Sequence, residues 1–380
     1  MAGIYFHIPF CKQACHYCDF HFSTSAKYKD EILQSMLKEL ELQKDYLGTE
    51  TIETIYFGGG TPSVIDPSEI QRFIDQVAKQ HHVSTDAEVT LEANPDDLSP
   101  QRVKELRQTN INRFSVGIQS FFEEDLRWMN RAHNAQEADA AIKRVQDAGF
   151  ENITADLIYG YPLLSDEKWK TNLAKIHELN IPHVSAYSMT VETRTALAHF
   201  IAKGKQPEMN DSQSADQFTY MIGQLREWGY EHYETSNFAK PGHYSRHNTN
   251  YWKGVSYLGI GPSAHSFNGE TRKWNIANNA KYLEALLVDR VPAEIEVLTP
   301  EDRVNEYIMT SLRTMWGMDM TRVDREFGSG YSAEIEKNAA EFFDKGWLEK
   351  KDGDTVVLTD AGKLFSDHIA SELFIDHESK

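Results

Sequence analysis

The sequence predicts an α/β fold built on a parallel sheet, with a smaller domain behind it. Short apolar runs alternate with helical patterns through the first half of the chain, making six strands joined by short links. The residues suited to chemistry fall at or just after the C-terminal ends of those strands. Such a sheet is either open and doubly wound or curved into a barrel, and a barrel gathers its site at that end.

The first strand, residues 4–8, leads directly into a stretch that holds all three cysteines, Cys11, Cys15 and Cys18. Residues 27–46 then place Ile32, Leu33, Met36, Leu37 and Leu40 at helical spacing. A second strand, 54–57, ends in Gly58-Gly59-Gly60, and the helix expected over 67–79 has Asp66 in position to cap it. Strands at 88–92, 113–118, 153–158 and 183–187 complete the set. Helices at 100–108, 134–148 and 166–178 separate them, the middle one stopping at Gly149. A further helix is expected over 211–228, whereas 229–268 is rich in Tyr, His, Ser and Asn without a clean period. Helical patterns return at 303–315 and 333–343. A hairpin over 347–358 turns at Asp352-Gly353-Asp354, and a last helix spans 359–373. These patterns divide the chain into a sheet-bearing domain at 1–228, associated loops at 229–280 and a C-terminal α+β domain at 281–380 resembling a winged helix.

The 380 residues are 40% hydrophobic and 26% charged, the composition of a soluble globular protein, with 17 Tyr, 19 Phe and 7 Trp to build pockets. A formal charge of −19 argues against a nucleic-acid surface, which needs a basic patch. No basic leader precedes a long apolar run, and no segment approaches the roughly 18 apolar residues of a membrane span. The expectation is a cytoplasmic protein, with peripheral contact to a membrane left open.

Three clustered cysteines in such a chain point to metal ligation in a reducing compartment. In the spacing CxxxCxxC they can hold three irons of a four-iron cluster and leave the fourth open. Zinc is the competing reading, with His7, His16 or His21 completing a tetrahedron. An open iron can chelate the amino and carboxylate groups of S-adenosylmethionine, whose reductive cleavage yields a carbon radical.

The motifs resemble a known superfamily. CxxxCxxC at the end of a first strand is the signature of radical S-adenosylmethionine proteins. YFHIPFC (5–11), YFGGGTP (56–62), EANP (92–95), RFSVGIQSF (113–121), NRAH (130–133) and DLIYGYP (156–162) are similar to one branch. That branch contains oxygen-independent coproporphyrinogen III dehydrogenase and a group of haem chaperones. The resemblance covers nearly the whole chain and implies a partial (β/α) barrel with a smaller C-terminal domain. It implies a [4Fe-4S] cluster on Cys11, Cys15 and Cys18, and S-adenosylmethionine flanked by Tyr5 and Tyr17. Gly59, Gly60 and Thr61 would receive the methionine amino group, and Glu92, Gln119, Arg131 and Asp156 would contact the carboxylate, ribose and sulfonium surroundings.

Two places separate the members of this branch. The dehydrogenase resembles CxxxCxxCxC, and this chain has Phe20 where the further cysteine would stand. Residues 247–252 fit the HNxxYW motif that the chaperone group associates with haem, so the resemblance implies haem binding by His247, Asn248, Tyr251 and Trp252. Imidazole can ligate haem iron, and flat aromatic rings can pack on a porphyrin. The resulting expectation is a haem chaperone that passes haem to a recipient haem protein, free or membrane-bound, with an electron donor the sequence does not name. Decarboxylation of coproporphyrinogen III is the alternative activity, and RNA modification by radical chemistry ranks behind both. The loop Gly259-Ile260-Gly261-Pro262-Ser263-Ala264-His265 reads as scaffold.

Overall fold

The computed structural model describes residues 1–376. Its core is the strand–helix series β1 (Ala2–Ile8), α1 (Lys29–Leu42), β2 (Ile52–Gly59), α2 (Pro67–Gln80), β3 (Val83–Ala93), α3 (Pro100–Leu106) and β4 (Arg113–Gln119). It continues through α4 (Glu123–Trp128), α5 (Ala135–Asp147), β5 (Asn152–Tyr159), α6 (Asp166–Glu178) and β6 (His183–Ser188). All six expected strands are present. Local chemistry explains several helix starts: Asn134 and Glu137 form a reciprocal capping box on α5, and the Ser165 side chain accepts from Lys168 N–H on α6. Asp66 sits at the α2 start without capping it, because its carboxylate turns to Arg102, 3.2 Å away.

Neighbouring strands pair in parallel from β1 through β6. A strand buried on both faces normally reads as continuously apolar. Here the strands alternate. Ile4, Phe6 and Ile8 of β1 join Ile55 and Phe57 of β2 and Leu91 of β3 in the core beneath the helices. The residues between them, Tyr5, His7, Tyr56, Thr90 and Glu92, face the other way into the curve of the sheet. The sheet therefore encloses a polar interior.

Residues 229–268, which lack a clean period, fold into short elements that extend this sheet. After α7 (Ala196–Ala202) and α8 (Asp211–Glu227), β7 (Glu231–Glu234) and β8 (Asn237–Ala239) add antiparallel strands beside β6. Then α9 (Arg246–Trp252) crosses to the opposite edge, where β9 (Tyr257–Ile260) runs parallel to β1. The hairpin β10 (His265–Phe267) and β11 (Thr271–Asn275) follows, then α10 (Asn279–Leu287) and β12 (Ala293–Val297). The twelve strands run in the linear order β12-β11-β10-β9-β1-β2-β3-β4-β5-β6-β8-β7, so the barrel is partial and does not close. Strands of three to five residues are too short to impose a readable alternation, which is why residues 229–268 show no clean period.

The remaining elements are α11 (Pro300–Leu312), β13 (Met318–Asp319), α12 (Met320–Glu326), α13 (Ser329–Asp344), β14 (Leu348–Lys351), β15 (Thr355–Leu358), α14 (Asp360–Lys363) and α15 (Ser366–Glu372). They enclose a second buried cluster running from Val304 to Ile375, and the helix–strand–helix–helix–hairpin order is that of a winged helix. The expected division at 281 falls inside α10, whose Tyr282, Ala285 and Leu286 pack on the first cluster. The single helix expected over 359–373 is two. Trp347 stacks on Phe365 at 4.2 Å, and a Cβ on Gly362 would lie 2.0 Å from the Trp347 carbonyl oxygen, so the chain bends around that ring.

One buried acid ties the extended edge to the barrel. Glu39 of α1 accepts hydrogen bonds from Tyr282 (2.5 Å), Asn275 (2.7 Å) and Gly261 N–H (2.8 Å). Glu39→Ala leaves Tyr282 and Gly261 N–H without an acceptor and removes one of the two acceptors of Asn275, and should cost roughly 3 kcal/mol in urea unfolding. A loss below about 1 kcal/mol would show that the hub is dispensable.

Candidate functional site

The loop that follows β1 carries the cysteines and is pinned along the C-terminal ends of the strands. Cys11 N–H donates to Ser23 O and Ser23 N–H to Pro9 O, which closes the loop on itself. His16 N–H and Nδ1 bond the carbonyls of Met129 and Trp128. Lys12 bridges to Asp96 at 2.8 Å and to Asp97. On the other side Gly60 N–H donates to Ile8 O and Thr61 N–H to Phe10 O, at 2.8 and 2.7 Å. Gly60 is required there: a Cβ would lie 2.6 Å from Phe10 O and 3.0 Å from Cys11 Sγ.

Cys11, Cys15 and Cys18 are free and half-buried within this loop. Thr61 Oγ1 donates to Cys11 Sγ at 3.4 Å, and Arg131 donates to Cys15 Sγ at 3.3 Å. Burial raises the Cys11 thiol and pushes Cys18 up to about 12, where the other two thiols add to the effect. Cys11 and Cys18, so buried, give up their protons only when a cation accepts the sulfur, and that is the chemistry of a metal-cluster site. Among the described residues no three ligating side chains converge as a single ion requires, and a cluster taking one thiolate per iron does not need that convergence. The imidazoles that a zinc site would draw on are engaged elsewhere. His7 is bonded to the His21 carbonyl, His16 to that of Trp128, and His21 to Asn279.

Below the loop, the inward faces of the strands form one wall. Glu92 of β3 accepts from Tyr56 at 2.8 Å, and burial, with Asp156 nearby, pushes its carboxyl up to about 8. Asp156 of β5 accepts from Ser115 at 3.0 Å, and burial pushes it up to about 7. Acids held this way favour a partner that brings positive charge or further hydroxyl donors. Gly59 holds a positive φ of 105°, and a Cβ on Gly58 would lie 3.0 Å from Glu92 Oε1, so these glycines form a cradle beside the acid. Tyr187, at the end of β6 on the wall that carries Asp156, is 46% exposed. These features fit S-adenosylmethionine: a backbone cradle, two acids for ribose and sulfonium, and a cluster loop above.

Other expected residues hold the frame. Arg131 donates to Cys15, Tyr17 (3.4 Å), Asn94 (2.6 Å) and Gly117 O (3.0 Å), so it braces the cysteine loop against β4, and its buried Nε has no partner. Gln119 sits at a positive φ of 63° where the β4–β5 register shifts. Tyr5 lies one layer below the loop, stacked on Tyr56 at 6.0 Å, with its hydroxyl 3.4 Å from His7. Tyr56, Asn94 and Ser115 stand inside the YFGGGTP, EANP and RFSVGIQSF motifs and join the site beside the expected residues. The signal for them was the polar member of each polar–apolar alternation.

The HNxxYW segment lies at the opposite end of the barrel. Ser245 caps α9, and Glu88 of β3 accepts the N–H groups of Arg246 and His247, each at 3.0 Å. His247 is 2% exposed and stacks on Tyr56 at 4.8 Å. Its Nδ1 meets Thr54 at 2.7 Å and its Nε2 meets Tyr251 at 2.8 Å, and burial lowers it to about 3. Asn248 N–H donates to the Ser245 cap, and Trp252 lies under the Arg313 guanidinium at 5.2 Å. Both ring nitrogens of His247 are occupied, so in this arrangement the imidazole supports the wall.

A cysteine loop on a partial parallel barrel, above a cradle of glycines and buried acids, defines a radical S-adenosylmethionine protein. Residues 5–191 match the radical SAM superfamily and residues 298–365 the HemN C-terminal domain. The fold superposes on coproporphyrinogen III oxidase (HemN) of Escherichia coli with a TM-score of 0.84, covering 98% of this chain and 90% of that one at 23% identity, which establishes the fold alone. The heme chaperone HemW of Lactococcus lactis is 32% identical over 373 residues, 98% of this chain and 97% of the relative. HemW of Mycobacterium tuberculosis is 34% identical over 376 residues, 98% and 94% of the two chains. The chain belongs to the HemW family.

Because the Glu92 carboxyl rises from 4.5 to about 8 on folding, the folded protein holds a proton that the unfolded chain has lost. Stability of the ligand-free protein should therefore fall as pH rises across that window. Glu92→Gln should flatten the profile in urea melts at successive pH values; an unchanged slope would contradict the burial of an unpaired acid.

Proposed function

We propose that the protein is a haem chaperone: it binds haem, carries a [4Fe-4S] cluster with S-adenosylmethionine, and hands haem to a recipient haem protein. The observation that carries this reading is the near end-to-end match to HemW chains, with Phe20 in place of the dehydrogenase's further cysteine. Phe20 is 67% exposed beside the cysteine loop, where a thiol would be needed for the alternative chemistry.

Cys11, Cys15 and Cys18 would hold the cluster, which when loaded supplies one-electron reduction at its open iron. Around it the chain's own residues do the positioning. Gly59, Gly60 and Thr61 offer backbone and hydroxyl groups to the methionine end, and Glu92 and Asp156 face the ribose and sulfonium. Gln119 and Arg131 fix the loop and strand end that frame them. Tyr5 and Tyr17 back the site from below and from the loop.

For haem, the HNxxYW residues act through the scaffold. His247 holds Tyr251 and Tyr56, Asn248 joins the α9 cap, and Trp252 packs at the junction with the second domain. Among the described residues no helix is long and apolar enough to cross a membrane, so a membrane-bound recipient would be met at its surface.

Anaerobically reconstituted protein should contain iron and sulfide and bind about one haem per chain in an optical titration. It should not turn over coproporphyrinogen III with reductant and S-adenosylmethionine. Turnover without haem binding would replace the chaperone with the enzyme, and zinc in place of iron and sulfide would remove both.

A further inference from the structure

His265 carries the one imidazole on the strands β9–β12 that extend the sheet past β1. His7, His16, His21, His183 and His247 are each hydrogen-bonded through the ring. His265 is exposed, and its ring has no hydrogen-bond partner among the described residues. It begins β10, directly after the Gly261 turn. That turn packs so closely on the entry to the cysteine loop that a Cβ on Gly261 would lie 2.6 Å from His7 O.

The register of the sheet extension shows what shares a face with this imidazole. His265 pairs with Trp274 and Phe267 with Arg272, while Phe267 also pairs with Tyr257. The alternate residues Ser266, Lys273 and Asn275 are buried on the opposite side, toward Glu39 and α1. Tyr257, His265, Phe267, Arg272 and Trp274 therefore lie together on the face that continues the barrel's inner wall. The His265 and Trp274 rings are 6.4 Å apart and tilted by 30°, and Tyr257 and Phe267 are 6.4 Å apart and tilted by 36°. Arg272 Nε is ion-paired with the Glu296 carboxylate at 3.3 Å, out of line for a hydrogen bond. Glu294 and Glu296 on β12 make the outer edge of the face acidic.

We infer that this face is the haem platform, with His265 as the iron ligand, Trp274 and Phe267 against the ring, and Arg272 receiving a propionate. The inference rests on the chaperone reading and names its site. The occupant follows from the chemistry: a free imidazole suits iron, flat aromatic side chains suit a porphyrin, and a guanidinium whose remaining N–H groups lie beyond its Glu296 pair suits a carboxylate. The same geometry gives the HNxxYW helix a task. His247 Nε2 meets the Tyr251 hydroxyl at 2.8 Å, and Tyr251 packs edge-on against Tyr257 at 4.5 Å. His247 is thus a positioning residue behind the platform.

The test is titration of the reconstituted full-length protein with ferric haem, followed by absorption and by EPR of the haem iron. His265→Ala should weaken binding about tenfold or more and remove the axial-imidazole signature, and added imidazole should restore it. His247→Ala should weaken binding while the signature persists. Wild-type protein should bind haem more tightly than its dimethyl ester, a preference that Arg272→Gln should abolish. That comparison stands even if one variant folds poorly. An axial-imidazole spectrum and wild-type affinity in His265→Ala would overturn the inference and leave the chaperone reading intact. Wild-type protein that binds no haem would overturn both.

Discussion

A parallel sheet whose inner face is polar cannot be left unsealed, and the contact between Glu88 and α9 meets that constraint. Glu88 accepts two backbone N–H groups at the start of the helix, and Arg113 lies 3.6 Å from it on the neighbouring strand. Arg113 donates to Thr154, which meets His183, which meets Tyr233. Every member of this layer is buried, and each has a hydrogen-bond or ion-pair partner. A charge removed from the middle of such a layer would leave its partner stranded, at a cost of several kcal/mol. The seal at the N-terminal ends of the strands leaves the C-terminal ends as the place where the interior meets ligands.

From that seal, side chains stack toward the cysteines. His247 lies against Tyr56, Tyr56 donates to Glu92, and Glu92 stands beside the glycine cradle that meets the cysteine loop. A second course runs sideways from the same helix through Tyr251 to Tyr257 and the β9–β12 face. One short helix therefore backs two surfaces, which is a physical reason for a haem-associated motif to be buried so far from solvent.

The long elements of the fold were legible because their periods are long. Helices of 13 or 14 residues such as α2, α5 and α6 end within a residue or two of where their apolar spacing and caps place them. The six parallel strands were legible through the turn residues at their ends. Strands such as β8 and β10, three residues each, carry no period to read, and their pairing with distant strands is a tertiary fact. The cysteines, glycines and acids of the site were legible as motifs. The position of His247 was not, because a motif reports which residues recur and not which way an imidazole faces. His265 is not legible as a ligand because a Gly-rich loop explains its neighbourhood equally well.

The central claim is that His247 acts by holding the wall of the cofactor site. It is tested most directly by S-adenosylmethionine affinity, read from the shift in the EPR spectrum of the reduced cluster, in wild-type protein and in His247→Gln. Several-fold weaker binding is expected in the variant with unchanged iron and sulfide content, because Tyr56 and Glu92 lose their backing. Equal affinities in the two proteins would contradict it.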